Sequence, residues 1–166
     1  MAIASAVGGN GTPKSRAGYD YVHQAIDDMS RVAYVDVLSD ERGPTCARFL
    51  REAAAWFARQ GVRIERVMTD NARNYVDSRD FQTALSDLGA RHKRTRFHRP
   101  QTNGKSERFN RTLLDEWAYV RLYTSNGRRA RALDRFLHTY NHHRGHTALG
   151  GSPPITRATN LAGQHI

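Results

Sequence analysis

Acidic residues are missing from the front of this chain: none precedes Asp20, and the whole holds 16 Asp+Glu against 26 Lys+Arg. Cysteine is nearly absent too. Cys46 stands alone, so no disulfide can form within the chain, and its place on an apolar helical face predicts a buried thiol without a redox role. No run approaches the ~20 apolar residues of a membrane span. Met1–Val7 is too short, and lacks the basic start, for a secretion signal. These absences lead to the expectation of a cytoplasmic protein with no membrane partner. Hydrophobic residues, at 39%, are somewhat few for 166 residues, which predicts one domain with a large polar surface.

What is abundant is positive charge, and it is concentrated. Between Arg91 and Arg111 eight Lys/Arg face one acid, Glu107, so this window carries +7 of the net +10. A solvated basic face would spread its charge more evenly; clustering of this kind is the footprint of a nucleic-acid contact.

The organisation follows from periodicity. Gly8, Gly9, Gly11, Pro13 and Gly18 interrupt any pattern, so residues 1–18 are expected to form a disordered or weakly ordered leader before a domain over 19–157 and a tail over 158–166. Tyr19–Ile26 and Arg31–Leu38 are strand-like, joined by Asp27-Asp28-Met29-Ser30. The paired acids there most simply bond the turn backbone. Pro44 and Thr45 open a helix to about Gln60, with Cys46, Phe49, Leu50, Ala53, Trp56 and Phe57 as its apolar stripe. Val62–Thr69 is a strand ending at Asp70, and a helix carrying Phe81, Ala84, Leu85 and Leu88 follows. His92–Arg96 is a short basic strand. A helix from Ser106 to about Tyr123 and a second one with Leu133, Phe136, Leu137 and Tyr140 inward come next, and Gly150, Gly151, Pro153 and Pro154 begin an irregular tail. His138, His142, His143 and His146 lack a cysteine or acid to complete a zinc site, and phosphate or backbone contacts account for them as well.

Two acids stand out. Asp70 ends a strand within an αβα pattern, where ligands of open sheets gather, although taken by itself a side-chain cap on the following turn is the favoured reading. Glu107 lies in the first turn of its helix, where the macrodipole favours a carboxylate; a metal ion beside bound phosphate is the competing reading.

Thr69-Asp70-Asn71 and Arg99-Pro100-Gln101-Thr102-Asn103-Gly104-Lys105-Ser106-Glu107-Arg108-Phe109-Asn110 together resemble the integrase core of DDE transposases, the superfamily of bacterial insertion-sequence transposases and retroviral integrases. Thirty-six residues separate the two acids, close to the family's usual interval. Ile26–Arg31 resembles the second-strand motif, and Tyr140-Asn141, Arg144, His146, Leu149 and Pro154 resemble the C-terminal signature of the insertion-sequence branch. The resemblance implies an RNase H-like α/β fold, a mixed sheet with helices on both faces and here a helical C-terminal extension. It implies metal-dependent phosphodiester cleavage and strand transfer in DNA integration and transposition. Three family carboxylates hold two Mg²⁺ or Mn²⁺ ions; Asp70 and Glu107 match the second and third, as catalytic and metal-binding residues. Arg94, Arg96, Arg99, Asn103, Lys105, Arg108, Arg111 and Arg144 would contact DNA, whether transposon ends or target.

The family's first acid lies on the first strand, and no residue here matches it. The first strand is therefore expected to be missing or degenerate, as in a chain truncated at its front, with metal binding weakened and the neighbouring strand exposed to self-association. Ala72, where the family often has glycine, is a milder departure. The alternative is a non-enzymatic DNA-binding remnant or regulator that associates with full-length transposase. An unrelated RNase H-like nuclease is disfavoured by the Arg99–Asn110 motif.

Overall fold

The computed structural model describes residues 1–8, 20–95 and 104–162. Five strands, β1 (Ala2–Gly8), β2 (Asp20–Ile26), β3 (Ala33–Leu38), β4 (Arg66–Thr69) and β5 (Arg91–Arg94), form one sheet in the order β3-β2-β1-β4-β5. The first three run antiparallel, and β1, β4 and β5 run parallel. The helices are α1 (Gly43–Arg59), α2 (Arg73–Val76), α3 (Arg79–Asp87), α4 (Gly104–Leu113), α5 (Asn126–His142) and α6 (Pro154–Ala162).

This corrects two expectations. The first strand is neither missing nor degenerate: β1 occupies the middle of the sheet, paired with β2 from Ala2–Ile26 to Gly8–Asp20. Sequence propensity failed there because Ala-Ile-Ala-Ser-Ala-Val-Gly has few β-branched residues, whereas position between two partner strands decides the outcome. The leader expected over residues 1–18 thus includes a strand, its residues 9–18 lying outside the described residues. β1 pairs with β4 at its start, where Ala2 is level with Met68 and the Met68 N–H donates to the Met1 carbonyl at 2.9 Å. The irregular tail is likewise corrected, since Pro154 starts α6, a position proline favours, and Ala158 is fully buried.

Strand alternation divides the core. Ala25 and Val67 face α1 and α3, in a cluster with Phe49, Leu50, Phe57, Phe81 and Leu85. Val22, Ile26 and Val35 face the other way, against Phe109 and Leu113 of α4 and Leu133 and Tyr140 of α5. The predicted stripe of α1 is borne out: Cys46, Phe49, Leu50, Ala53 and Phe57 are buried, and burial raises the Cys46 thiol to about 11, keeping it protonated. The helix expected from Ser106 to about Tyr123 instead leaves α geometry after Leu113. A π-helical turn, Leu114–Ala118, follows, and the Trp117 indole N–H there donates to the Arg129 carbonyl at 3.1 Å.

Where α1 begins, a Cβ on Gly43 would lie 2.1 Å from Ser78 Oγ and 2.6 Å from Ser78 Cβ. Ser78 Oγ caps α3 by accepting the Phe81 N–H at 3.2 Å. Gly43→Ala is expected to displace that cap and cost about 1–3 kcal/mol. Urea unfolding checks this, and an unchanged midpoint would contradict it.

Candidate active site and its cationic surroundings

Asp70 sits immediately beyond β4, on a loop whose backbone is tied down. Its Oδ1 accepts the Ala72 N–H at 3.0 Å, so the expected turn cap is present. Asn71 Nδ2 donates to the Thr95 carbonyl at 3.0 Å, and the Thr95 N–H donates to the Thr69 carbonyl at 3.0 Å. Thr69 Oγ1 donates to the Asp70 carbonyl at 2.8 Å and lies 2.9 Å from His92 Nε2. Burial, aided by the charge of Arg94, lowers the pKa of that His92 imidazole. With the Thr69 proton given to Asp70, His92 Nε2 donates to Thr69 Oγ1, and a neutral ring leaves Nδ1 free to accept from Gln82 Nε2 at 3.2 Å.

Glu107 occupies the first turn of α4, as expected, and is exposed. What fixes that turn is a residue the sequence reading missed. Gln24, 1% exposed in the middle of β2, donates through Nε2 to Ser106 Oγ at 3.3 Å and to the Ser106 carbonyl at 3.4 Å. The signal was available: a polar residue on the same strand parity as Val22 and Ile26 must find a polar partner on that face.

The register relates the two acids. Met68 and Asp70 share a parity opposite to that of buried Val67 and Thr69, hence the α4 side of the sheet. Continuing the Ala2–Met68 register, position 4 of β1 is level with Asp70, and it pairs on its other side with Gln24. Asp70, just beyond β4, and the first turn of α4, tied to β2 through Gln24, are therefore directed to the same face of the sheet, on either side of β1. β1 itself, AIASAVG, brings no acid between them. Among the described residues, no group of three or more His, Cys, Asp or Glu is arranged to hold a metal. Two exposed carboxylates, neither in an ion pair with a described residue, nonetheless suit one hard divalent cation that keeps several waters.

The expected DNA contacts fare unevenly. Arg94 is exposed on β5, and Arg108 is exposed on α4 without an ion-pair partner among the described residues. Arg111 lies 3.8 Å from Asp115. Lys105 pairs with Asp28, and Arg144 grips Glu116 at 2.5 and 2.6 Å, so both carry a counter-charge that any phosphate must displace. Arg96, Arg99 and Asn103 lie outside the described residues. Asp27 is structural: Oδ2 accepts from the Ser30 N–H and hydroxyl, both at 2.7 Å. Burial pushes Asp28 upward, but the hydrogen bond and charge of Lys105, with Arg31 behind them, outweigh it and hold its carboxyl below the ordinary range. Of the four histidines, His138, His142 and His143 pack ring to ring, while His146 packs edge-on against Tyr140 at 4.9 Å.

Sequence models described as integrase core domain match residues 10–100 and 88–154. The chain is 33% identical over 103 residues to the "Retrovirus-related Pol polyprotein from transposon TNT 1-94" of Nicotiana tabacum, covering 62% of this chain and 8% of that one. It is 23% identical over 154 residues to the "Putative integrase ORF3" of Spiroplasma virus SpV1-C74, covering 86% of this chain and 42% of that one. The chain thus spans less than half the length of these curated relatives. Its fold is that of the HTLV-2 integrase catalytic core domain solved in complex with magnesium: TM-score 0.71 at 16% identity, over 95% of both chains. The architecture is accordingly RNase H-like. No described helix is long and apolar enough to cross a membrane. With the sheet order, the helices on both faces and a family match over more than half of its residues, the chain belongs to the integrase core domain family.

Proposed function

We propose that this chain is a DDE transposase/integrase catalytic-core protein whose substrate is DNA and whose phosphodiester chemistry is impaired because β1 carries no acid. The observation that supports this reading most is that Asp70 and the first turn of α4 share one face of the sheet, on either side of an acid-free β1. Asp70 and Glu107 would hold Mg²⁺ or Mn²⁺. Bound there, such an ion polarises a phosphoryl oxygen and lowers the pKa of coordinated water. The complete family site takes two ions, and two carboxylates do not suffice to bridge both.

The chain's own residues supply the remainder. Asn71 and Thr69 hold Asp70's loop, Gln24 holds the turn bearing Glu107, and Arg94, Arg108 and Arg111 offer charge to the phosphates. A DNA affinity dominated by such contacts falls steeply with salt. In this reading the chain associates with DNA and with further copies or full-length transposase. The HTLV-2 structure is described as a trimeric form, and a simian T-cell lymphotropic virus structure sharing the fold is of an intasome.

Calorimetric titration with Mn²⁺ tests the reading. We expect one weak binding event, weakened by about tenfold in Glu107→Gln and in Asp70→Asn. Equal binding by all three proteins would remove both residues from the site. A non-enzymatic DNA-binding protein is the second reading, favoured by the missing acid. Salt-sensitive DNA binding without any metal-dependent nicking would select it.

A further inference from the structure

A second site candidate lies on the other side of α4 from Glu107. A cavity of about 510 Å³ opens between the β2–β3 turn, α4 and the loop after α5. Its cations are Arg31, Lys105, Arg108 and Arg144; Ile26, Phe109 and Tyr140 give it an apolar floor, and no acid lines it. The far wall is the loop following α5, closed on itself: the Gly151 N–H donates to the His146 carbonyl at 2.9 Å and the His146 N–H to the Ser152 carbonyl at 3.2 Å. That wall is preformed.

Arg31 carries two costs here that a structural role does not repay. Its φ is 68°, the sole positive value at a non-glycine among the described residues. The turn that closes with the Arg31 N–H on the Asp27 carbonyl asks for glycine or asparagine at this position, and a long side chain is strained there. Its Nη1 is also buried without a hydrogen bond, the nearest carboxylate oxygen, on Asp28, lying 3.8 Å away and already held by Lys105. His146 Nε2, on the opposite side of the same cavity, is buried and unpartnered as well. Burial, then the charges of Arg144 and Arg31, lower the His146 pKa and favour the neutral ring. Strain and unpartnered polar atoms concentrated around one preformed cavity mark a ligand site.

We propose that this cavity takes a single unpaired nucleotide of a DNA strand, its phosphate on Arg31 and Arg108 and its base over the Ile26–Phe109–Tyr140 floor. Lys105 and Arg144 are already paired, so it is Arg108 and the unmet Nη1 of Arg31 that call for an anion, and the apolar floor calls for a planar, weakly polar group attached to it. The volume suits one nucleotide and is far too small for a duplex, so the nucleotide must leave the stack to enter. This rests on the reading of DNA as substrate and adds a subsite that the carboxylates do not form.

Fluorescence anisotropy on the full chain tests it, using a labelled duplex with one extrahelical thymidine and the same duplex fully paired. The bulged duplex is expected to bind about tenfold more tightly, and Arg31→Asn to abolish that preference while changing paired-duplex affinity less than about twofold. Because asparagine tolerates the left-handed turn, the same substitution is expected to raise the thermal midpoint by about 2–4 °C. Equal binding of both duplexes by the unsubstituted chain overturns the pocket while leaving the DNA reading intact. So does an Arg31→Asn protein that melts lower and loses affinity for both duplexes alike. No binding to either duplex would sink the DNA reading, and the subsite with it.

Discussion

Ala4→Asp is expected to raise Mn²⁺-dependent nicking of supercoiled DNA by roughly a hundredfold over the unsubstituted chain. The expectation rests on register alone. Position 4 pairs with Gln24, whose amide holds Ser106 next to Glu107, and the Ala2–Met68 pairing carried two residues on would bring it level with Asp70, just past the end of β4. A carboxylate introduced there would complete three acids on adjoining elements, the number needed to bridge two ions. The strand should tolerate it at a cost of about 1 kcal/mol, since aspartate is a poor strand residue. Three comparisons guard the interpretation. Ala4→Asn offers nearly the same shape without the charge and should gain nothing. Ser5→Asp adds the same charge one residue along, at the position paired with His23 on the α1 side, and should also gain nothing. Adding Glu107→Gln to Ala4→Asp should return the rate to background. If Ala4→Asp and Ser5→Asp behave alike, the gain is not a site property, and the placement of Asp70 and Glu107 around β1 is wrong.

How far the sequence could be read depended on whether a feature is local. The helices α1, α3 and α5 were legible because Phe49, Leu50 and Phe57, then Phe81 and Leu85, then Leu133 and Tyr140 recur at helical spacing and are indeed buried. Strand β1 was not, because its residues are small and its structure is imposed by partners on both sides. Pro154 opens α6 just as Pro44 stands in the first turn of α1, but the glycines beside it, Gly150 and Gly151, make the same stretch read as an irregular tail. For the site, the interval between Asp70 and Glu107 was legible, but an interval carries no information about faces. That required the parity of Val67 and Thr69 and the buried Gln24. The positive φ of Arg31 could not be read at all, since the sequence shows an ordinary arginine after Ser30, and only the closed turn reveals where it must sit.

Asn141→Ala is expected to cost about 2–4 kcal/mol, a large share of the ~5–15 kcal/mol that holds a domain together. β3 lies at the edge of the sheet, so one row of its backbone groups has no strand to pair with. At Ala33, which is fully buried, those groups cannot turn to water. Asn141, 2% exposed near the end of α5, takes the place of the absent strand. Its Oδ1 accepts the Ala33 N–H at 2.9 Å, and its Nδ2 donates to the Ala33 carbonyl at 2.8 Å. A truncated side chain would leave a donor and an acceptor buried and unmet, each at the full cost of its desolvation. Asn141→Asp distinguishes this account from one of packing. It keeps the volume and the acceptor but loses the donor, and turns a carboxylate toward the Ala33 carbonyl, so it should be at least as damaging at pH 7. Urea unfolding followed by tryptophan fluorescence measures both, because Trp117 is buried in the core that α5 covers. A fall in midpoint with an unchanged slope is the expected form. If Asn141→Asp is as stable as the unsubstituted chain, the paired amide is not what binds α5 to the sheet. The aspartate protein should also expose the edge of β3 as α5 detaches, so aggregation rising with its loss of stability would come from the same two unpaired groups.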